Sequence, residues 1–524
     1  MRSQHKFSQV PTADIPRSVF NLSHPHKTTM DADYLVPICQ PIDIIPGDTL
    51  SWRTHFFLRL NTMLRPIMDN LYFDTFAFFV PYRTIWNNFP KMHGEQVDPG
   101  DSIDYSVPVL GTTGTLSTGD LGDYMGLPLN TNLANTTDIS ALPFRAYRKI
   151  WNEWFRDENL QDSKDFNMGD TADNNANSGW TDPPLKRGKR HDYFTSCLPW
   201  PQKSSTAVSL PLSGNPRVET TAGAGDPLGV WSSTTSSYER IDTNLSVADL
   251  SGTALGSTDY FTVDLSTATS ATINDLRLAF QTQKLLERDA RSGTRYVEVL
   301  QAHWRVTSPD FRLQRAEFLG GGSSSVQITP VAQQSAQTAP AENDKVGNLA
   351  ANGTVSGTHS WSKSFVEHGV VLILGNIRGD ITYSQGLDRY WSKSTRYDFY
   401  YPVLAGIGEQ AVLNKEIWHD AAGTDNDEAF GYQGRYDEYR FLNGKLTGLM
   451  RPDASGTLAS WHLSEDFASL PALGDTFIQA NTGVPLDRAV AVPSQPHFFC
   501  DFFHQVRAAR PLPTYGVPGN IDRF

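Results

Sequence analysis

The 524-residue chain has only three cysteines, Cys39, Cys197 and Cys500, an odd number spread far apart. That excludes a disulfide scaffold and points to buried structural thiols and synthesis in a reducing cytoplasm. Long apolar runs are missing too. No stretch of about twenty such residues exists to cross a membrane as a helix, and Met1-Arg-Ser-Gln-His-Lys-Phe7 lacks the apolar core of a secretory signal. Positive charge is in short supply: 44 Lys and Arg stand against 57 Asp and Glu, a net charge of -13. A protein that coats nucleic acid over its whole surface would need the reverse, so only local basic patches are left for that role. Serine nucleophile elbows, His-Glu-x-x-His helices and paired Cys-x-x-Cys motifs are all absent. Nothing resembles an active site, and no cofactor or metal site is expected. No internal repeat suggests a propeller or a solenoid.

What is present is β-sheet. With 39% apolar and 11% aromatic residues the chain can build a substantial core. From Leu50 the side chains alternate: Leu50, Trp52, Phe56, Leu58 and Leu60 fall on one face, and Ser51, Arg53, His55, Arg59 and Asn61 on the other. That is the period of a half-buried strand. Residues 71–80 are apolar on both faces, as in a strand covered on each side, and Pro81 ends it by removing a donor. Further strands are expected at 326–330 and over Gly369 to Tyr383, where Gly375-Asn376 could turn the chain.

Two helices interrupt this pattern. Ser140 to Phe155 carries Pro143 near its start and apolar residues at 144, 147, 150, 151, 154 and 155, and a second helix begins at Ile273 and breaks at Gly293. Residues 295–304 fit either helix or strand. Residues 1–33 are polar and proline-punctuated, and read as an extended arm; Arg2, Lys6, Arg17 and Lys27 face Asp14 alone through residue 30, so the arm is mildly basic. Segments 161–182 and 204–272 look like surface insertions, the second dominated by Ser, Thr, Gly and Ala. The expected fold class is mainly β: an antiparallel β-sandwich, a jelly roll, carrying a few helices and long insertions in its loops.

Few segments suggest chemistry. Gly406-Ile-Gly408-Glu-Gln-Ala411 has the spacing of a dinucleotide turn but no strand-helix-strand alternation around it, so a turn feeding a short helix is preferred. Gly320-Gly-Gly-Ser-Ser-Ser325 lacks the Gly-Lys-Ser/Thr of a phosphate loop and reads as a hinge. His24 and His26 have no neighbouring ligand at metal spacing, and Asp425, Asp427 and Glu428 lack the glycine and distal glutamate of a calcium loop. The densest basic cluster is Lys186-Arg-Gly-Lys-Arg-His191, beside Tyr193, Phe194 and Trp200. Cations next to aromatics suit unpaired nucleic acid; a solvated loop, or one that pairs with a neighbouring subunit, is the competing reading. Arg2, Lys6, Arg17, Lys27, Lys186, Arg187, Lys189 and Arg190 are therefore the candidate DNA contacts.

Several separated blocks share one resemblance. They include Ser18-Val-Phe-Asn-Leu-Ser23 with the β region through Phe89, Arg190-His-Asp-Tyr-Phe-Thr-Ser-Cys-Leu-Pro-Trp-Pro-Gln-Lys203, Glu287-Arg-Asp-Ala-Arg-Ser-Gly-Thr-Arg-Tyr296, Val306 to Arg315, Ser364-Phe-Val-Glu-His-Gly369, Phe430 to Arg440, Ser460-Trp-His-Leu463 and Arg510 to Gly519. In this order they resemble the major capsid proteins of gokushoviruses, a branch of the microviruses, small icosahedral phages with single-stranded DNA. The resemblance implies a single eight-stranded jelly roll over 34–524 and an interior arm over 1–33. It further implies assembly as one copy per asymmetric unit of a T=1 shell around a circular single-stranded DNA genome. Segment 204–272 would then form a protrusion at the threefold axes, displayed toward a host surface receptor. A small basic DNA-binding protein, an internal scaffolding protein and a DNA pilot protein are the implied partners, the virion the implied location, and the host cytoplasm the place of assembly. From the residues alone a jelly-roll carbohydrate-binding protein or a sandwich-fold glycosidase stays open; the first predicts saturable sugar binding and the second paired carboxylates in a cleft.

Overall fold

A computed structural model of the chain describes residues 16–111, 115–129, 139–204, 273–307, 314–335 and 346–515, together with Val208 and five short strands between 217 and 264. The chain divides into two compact units, Met1–Pro201 with Thr294–Phe524, and Gln202–Gly293. In the first, eleven strands form two antiparallel sheets: β1 (Ser18–Asn21), β2 (His24–Met30), β3 (Val36–Pro37), β4 (Ile42–Ile44), β5 (Thr49–Leu60), β6 (Leu71–Pro81), β7 (Glu317–Ser325), β8 (Gln327–Ala332), β9 (Leu349–Ser364), β10 (Gly369–Gly379) and β11 (Phe498–Arg510). One sheet runs β1-β11-β5-β9-β8 with β2 also on β11; the other runs β7-β6-β10-β3 with β4 also on β10. The two sheets thus carry six and five strands, where the resemblance implies eight in all.

The alternation in β5 does what its period demands. Leu50, Trp52, Phe56, Leu58 and Leu60 are buried and meet Phe73, Phe79, Val371, Ile373 and Phe502 in a core between the sheets. Trp52 and Trp361 stack at 5.9 Å and 3°. Each large side chain fully buried there contributes about 1.5–3 kcal/mol. The second sheet is covered on its other face as well: Phe78, Val80, Val370, Leu372 and Leu374 belong to a separate core with Phe144, Tyr147 and Ile150 of α1 (Leu142–Ile150). That third layer is why β6 and β10 are apolar on both faces.

Helix formation follows the apolar stripe, with Pro143 in the first turn, although α1 gives way to a single π-helical turn at Trp151–Phe155. In the second unit, α2 spans Ile273–Ser292 and stops where Gly293 adopts φ 102°. The same unit holds the whole of the insertion expected at 204–272, within which strands 228–232, 237–242 and 249–251 form one small sheet and 217–220 pairs with 261–264. The ambiguous stretch 295–304 is a helix, α3 (Tyr296–Trp304).

Four local expectations are corrected. Gly375 and Asn376 do not turn the chain; they lie within the unbroken ladder of β10 and β6, facing Thr75 and Asp74, and the buried Asn376 donates to the Tyr34 carbonyl at 3.0 Å. Gly320 to Ser325 is not a hinge but part of β7, paired with β6. A Cβ on Gly321 would lie 2.0 Å from the Thr75 carbonyl oxygen and one on Gly322 would lie 2.5 Å from the His359 ring, so the glycines admit a close approach of backbone and facing sheet. Gly321→Val is accordingly expected to cost about 3 kcal/mol by overpacking. It should lower the urea midpoint at constant slope; an unchanged midpoint would refute the clash. The turn at Gly406–Gly408 feeds a strand, Glu409–Leu413, paired with Ala429–Gly434, which removes the dinucleotide reading. Finally, residues 18–30 of the arm are not loose: β1 and β2 pair with β11.

Candidate functional site

The basic cluster at 186–191 is not an open loop. Arg187 places Nη1 2.6 Å from Asp74 Oδ2 and its guanidinium over Phe76 at 4.8 Å; burial pulls its pKa down against the pull of Asp74. Lys189 is sealed with Glu465 at 2.8 Å and lies over Phe477 at 4.4 Å. Arg190 pairs with Asp380 at 2.8 Å over the Tyr72 ring, half-exposed, and Lys186 sits over Tyr34 at 5.3 Å. Tyr193 and Phe194 are core residues. The segment's charges therefore mostly answer Asp74, Glu465 and Asp380 of the same chain, which its composition could not show because those partners lie far away in sequence. In the arm, Arg17 and Lys27 are exposed, while Arg2 and Lys6 lie outside the described residues.

Among the described residues a single group could hold a metal ion: His24, Cys39 and His504, whose ligand atoms lie within 4.8 Å of one another. Their bonds close without an ion. His504 Nε2 meets the Ile38 carbonyl at 2.9 Å and its Nδ1 meets Thr54 Oγ1 at 3.1 Å, so no ring nitrogen is left to point at a metal. His24 Nε2 lies 3.5 Å from Cys39 Sγ, and burial pushes that thiol up to about 12, keeping it protonated. The acidic loop offers less still, since Asp427 is 2.6 Å from Lys415 Nζ.

Two surfaces stand out instead. One joins the segments 389–407 and 435–449. Tyr390, Trp391, Val403 and Leu442 are exposed there at 69, 71, 89 and 99%. Lys393 Nζ donates to Tyr439 Oη at 2.7 Å and Arg435 Nη2 to the Tyr397 carbonyl at 3.3 Å, which ties the two segments together. A cleft of about 330 Å³ opens in it, floored by Tyr193, whose hydroxyl donates to Glu416 at 3.0 Å while Arg389 bonds the same carboxylate at 3.1 Å. Aromatics and arginines at this density mark protein interfaces. In the sequence this surface shows only as aromatics without alternation, Tyr390-Trp391 and Tyr397 to Tyr401, the second of which has a strand-like composition but forms no strand. The second surface is the outer face of β5 and β11, where Phe57, Phe499 and Phe503 point away from the core among arginines. The break in alternation at Phe57 was its only signal.

The sequence model of the family described as Capsid protein (F protein) matches residues 8–520. The chain belongs to that family. It is 42% identical to the capsid protein VP1 of Bdellovibrio phage phiMH2K, over 100% of this chain and 99% of that protein. With VP1 of Chlamydia phage 1 the identity is 39%, covering 98% of each, and with VP1 of Spiroplasma virus 4 it is 33%, covering 98% and 97%. These matches agree with the gokushovirus resemblance of the sequence blocks. The capsid family's work is structural and not enzymatic: copies associate into a shell, and the place of the protein is the virion. No described helix is long and apolar enough to cross a membrane.

Proposed function

We propose that the chain forms a T=1 icosahedral shell, one copy per asymmetric unit, around a circular single-stranded DNA genome, and that assembly takes place in the host bacterial cytoplasm. The end-to-end match to proteins named as capsid proteins, over residues 8–520 of this chain and 97–99% of each relative, supports this reading. A subunit with net charge -13 cannot neutralise a genome alone. A small basic DNA-binding protein supplies the missing charge, with an internal scaffolding protein and a DNA pilot protein as further partners. The insertion 204–272 forms the threefold protrusion and contributes to attachment at a host surface receptor. Of the arm and cluster cations, Arg2, Lys6, Arg17 and Lys27, with Lys186 and Arg190, are assigned to DNA, whereas Arg187 and Lys189 hold the fold.

The surface around Trp391 and Leu442 is assigned to contact with a neighbouring copy, because exposed apolar patches of this kind in a shell protein are covered on assembly. In particles made from the complete phage genome, Trp391→Ser with Leu442→Ser is expected to leave the melting temperature of the free chain unchanged and to lower the yield of closed particles at least tenfold, read by sedimentation and electron microscopy. Wild-type yield would remove the surface from the shell contacts; absence of closed particles from the unaltered chain would sink the shell itself.

A further inference from the structure

The outer face of the first sheet differs from an ordinary solvated sheet face. Along β5 the outward positions are Ser51, Arg53, His55, Phe57 and Arg59, and along β11 they are Phe499, Asp501, Phe503, Gln505 and Arg507. The antiparallel register sets Arg59 opposite Phe499, Phe57 opposite Asp501, His55 opposite Phe503 and Arg53 opposite Gln505. Three phenylalanines are thus exposed side by side at 40, 42 and 47%. The Arg59 guanidinium lies over Phe57 at 5.1 Å, and the His55 ring stacks on Phe503 at 6.3 Å and 28°. On β2 the exposed Lys27 pairs in register with Asp501. On the other side, the exposed positions of β9 are Asn352, Ser356, Thr358, Ser360, Ser362 and Ser364, all neutral.

Four cations, Lys27, Arg53, Arg59 and Arg507, therefore face solvent against the single carboxylate Asp501, in a chain whose net charge is -13. An acidic protein that concentrates cations on one face marks that face for an anion. Same-face residues along a strand recur every ~7 Å, and directly opposed side chains stand about 5 Å apart. Arg59 consequently adjoins Phe57 along β5 and Phe499 across the strands, and the ring pair His55–Phe503 lies beside them, so rings and guanidinium groups share one face. Phosphates need the charges, and unpaired bases need flat apolar faces that a duplex would leave unused. We infer that this face of β5 and β11 is a stacking platform for single-stranded DNA, with Phe57, Phe499 and Phe503 meeting bases and Arg53, Arg59 and Arg507 meeting phosphates. The inference rests on the genome-enclosing reading above and adds a surface to it. A second copy of the chain would have to answer this face with carboxylates, and the rings would then be an interface core.

The test uses the full chain and a fluorescein-labelled single-stranded oligothymidine. Phe57→Ser and Phe503→Ser should each weaken binding by about five- to a hundredfold. Arg53→Gln, Arg59→Gln and Arg507→Gln should each lower the slope of log affinity against log salt by about 0.7. All five side chains are on the surface, so unchanged melting temperatures are expected and separate lost contact from lost fold. Particles carrying the three arginine replacements should form at wild-type yield with reduced genome content. Unaltered oligothymidine binding overturns the platform. So do normal DNA content in closed particles, or lost assembly with DNA binding intact, which would make the face a contact between copies. Failure of the unaltered chain to form particles would instead overturn the reading on which the platform rests.

Discussion

Replacing Arg145 by Met is expected to destabilise the first unit by about 3–5 kcal/mol, a large share of the 5–15 kcal/mol that holds a typical domain folded. Arg145 on α1 and Asp173 are both fully buried, and the guanidinium grips the carboxylate with two bonds, Nε to Oδ2 and Nη2 to Oδ1, each 2.7 Å. Its remaining donor, Nη1, reaches the carbonyls of Ile85 at 3.2 Å and Gly169 at 3.1 Å. One side chain thereby joins the helix to Ile85, just beyond β6, and to the loop ahead of Asp173, whose own backbone bonds Val109 and Gly111. Removing the guanidinium leaves a carboxylate in a low-dielectric site with no counter-charge. Desolvating the pair is itself expensive, so an apolar replacement of both partners is less damaging than a replacement of one. Arg145→Met with Asp173→Leu should recover part of the loss, and a double-mutant cycle on urea unfolding measures the coupling. Strict additivity of the two single effects would refute it.

Acidification is the second large lever, through the N-terminal strand. His504 is completely buried on β11; its ring is held by Ile38 and Thr54 and faces His24 and His26 of β2, Cys39 and the Trp52 ring. Burial, reinforced by the two neighbouring histidines and opposed by the bond to Ile38, lowers its pKa from 6.5 to about 4. The folded state therefore refuses a proton that the unfolded chain accepts below about pH 6.5. Stability is full above that value, falls as the pH drops, and the loss is complete once the ring charges in the folded state near pH 4. The span corresponds to something on the order of 3 kcal/mol. Burial and the neighbouring His24 lower His26 as well, so β2 should loosen from β11 as the pH falls below about 6.5. Hydrogen exchange of residues 24–30 between pH 7 and 4.5 reads this directly. His504→Asn, which keeps polar atoms but cannot charge, should flatten the dependence; an equally steep loss in that variant would refute the assignment.

Much of the architecture was legible because strands announce themselves by period. The alternation of Leu50 to Leu60 gave β5 its inner face, and the two-sided apolar run at 71–80 correctly implied a covered strand, as the helix layer with Phe144 and Tyr147 confirms. Both predicted helices formed. Glycine was the least faithful signal. Gly321, Gly322 and Gly375 look like punctuation in a sequence, yet here they let backbone and facing side chains approach where a Cβ would collide. The cluster at Lys186–His191 concealed its partners for a related reason: density of charge along a chain says nothing about what each charge meets, and Asp74, Glu465 and Asp380 arrive from three other parts of the molecule. His24 met His504 in the same way, across hundreds of residues, with Cys39 only 15 residues along the chain from His24.

By itself, then, the sequence determined the class of the fold, the positions of its main strands and helices, and membership of a capsid family through blocks spread along its length. These are local quantities: periodicity, propensity and the wording of short segments survive reading one residue after another. Only the tertiary structure decided which charges are spent inside the fold and which remain for a partner. Pairing depends on distance in space, and a strand's outer face becomes a surface with its own chemistry only when Phe57 and Arg59 are laid in register beside Phe499 and Phe503.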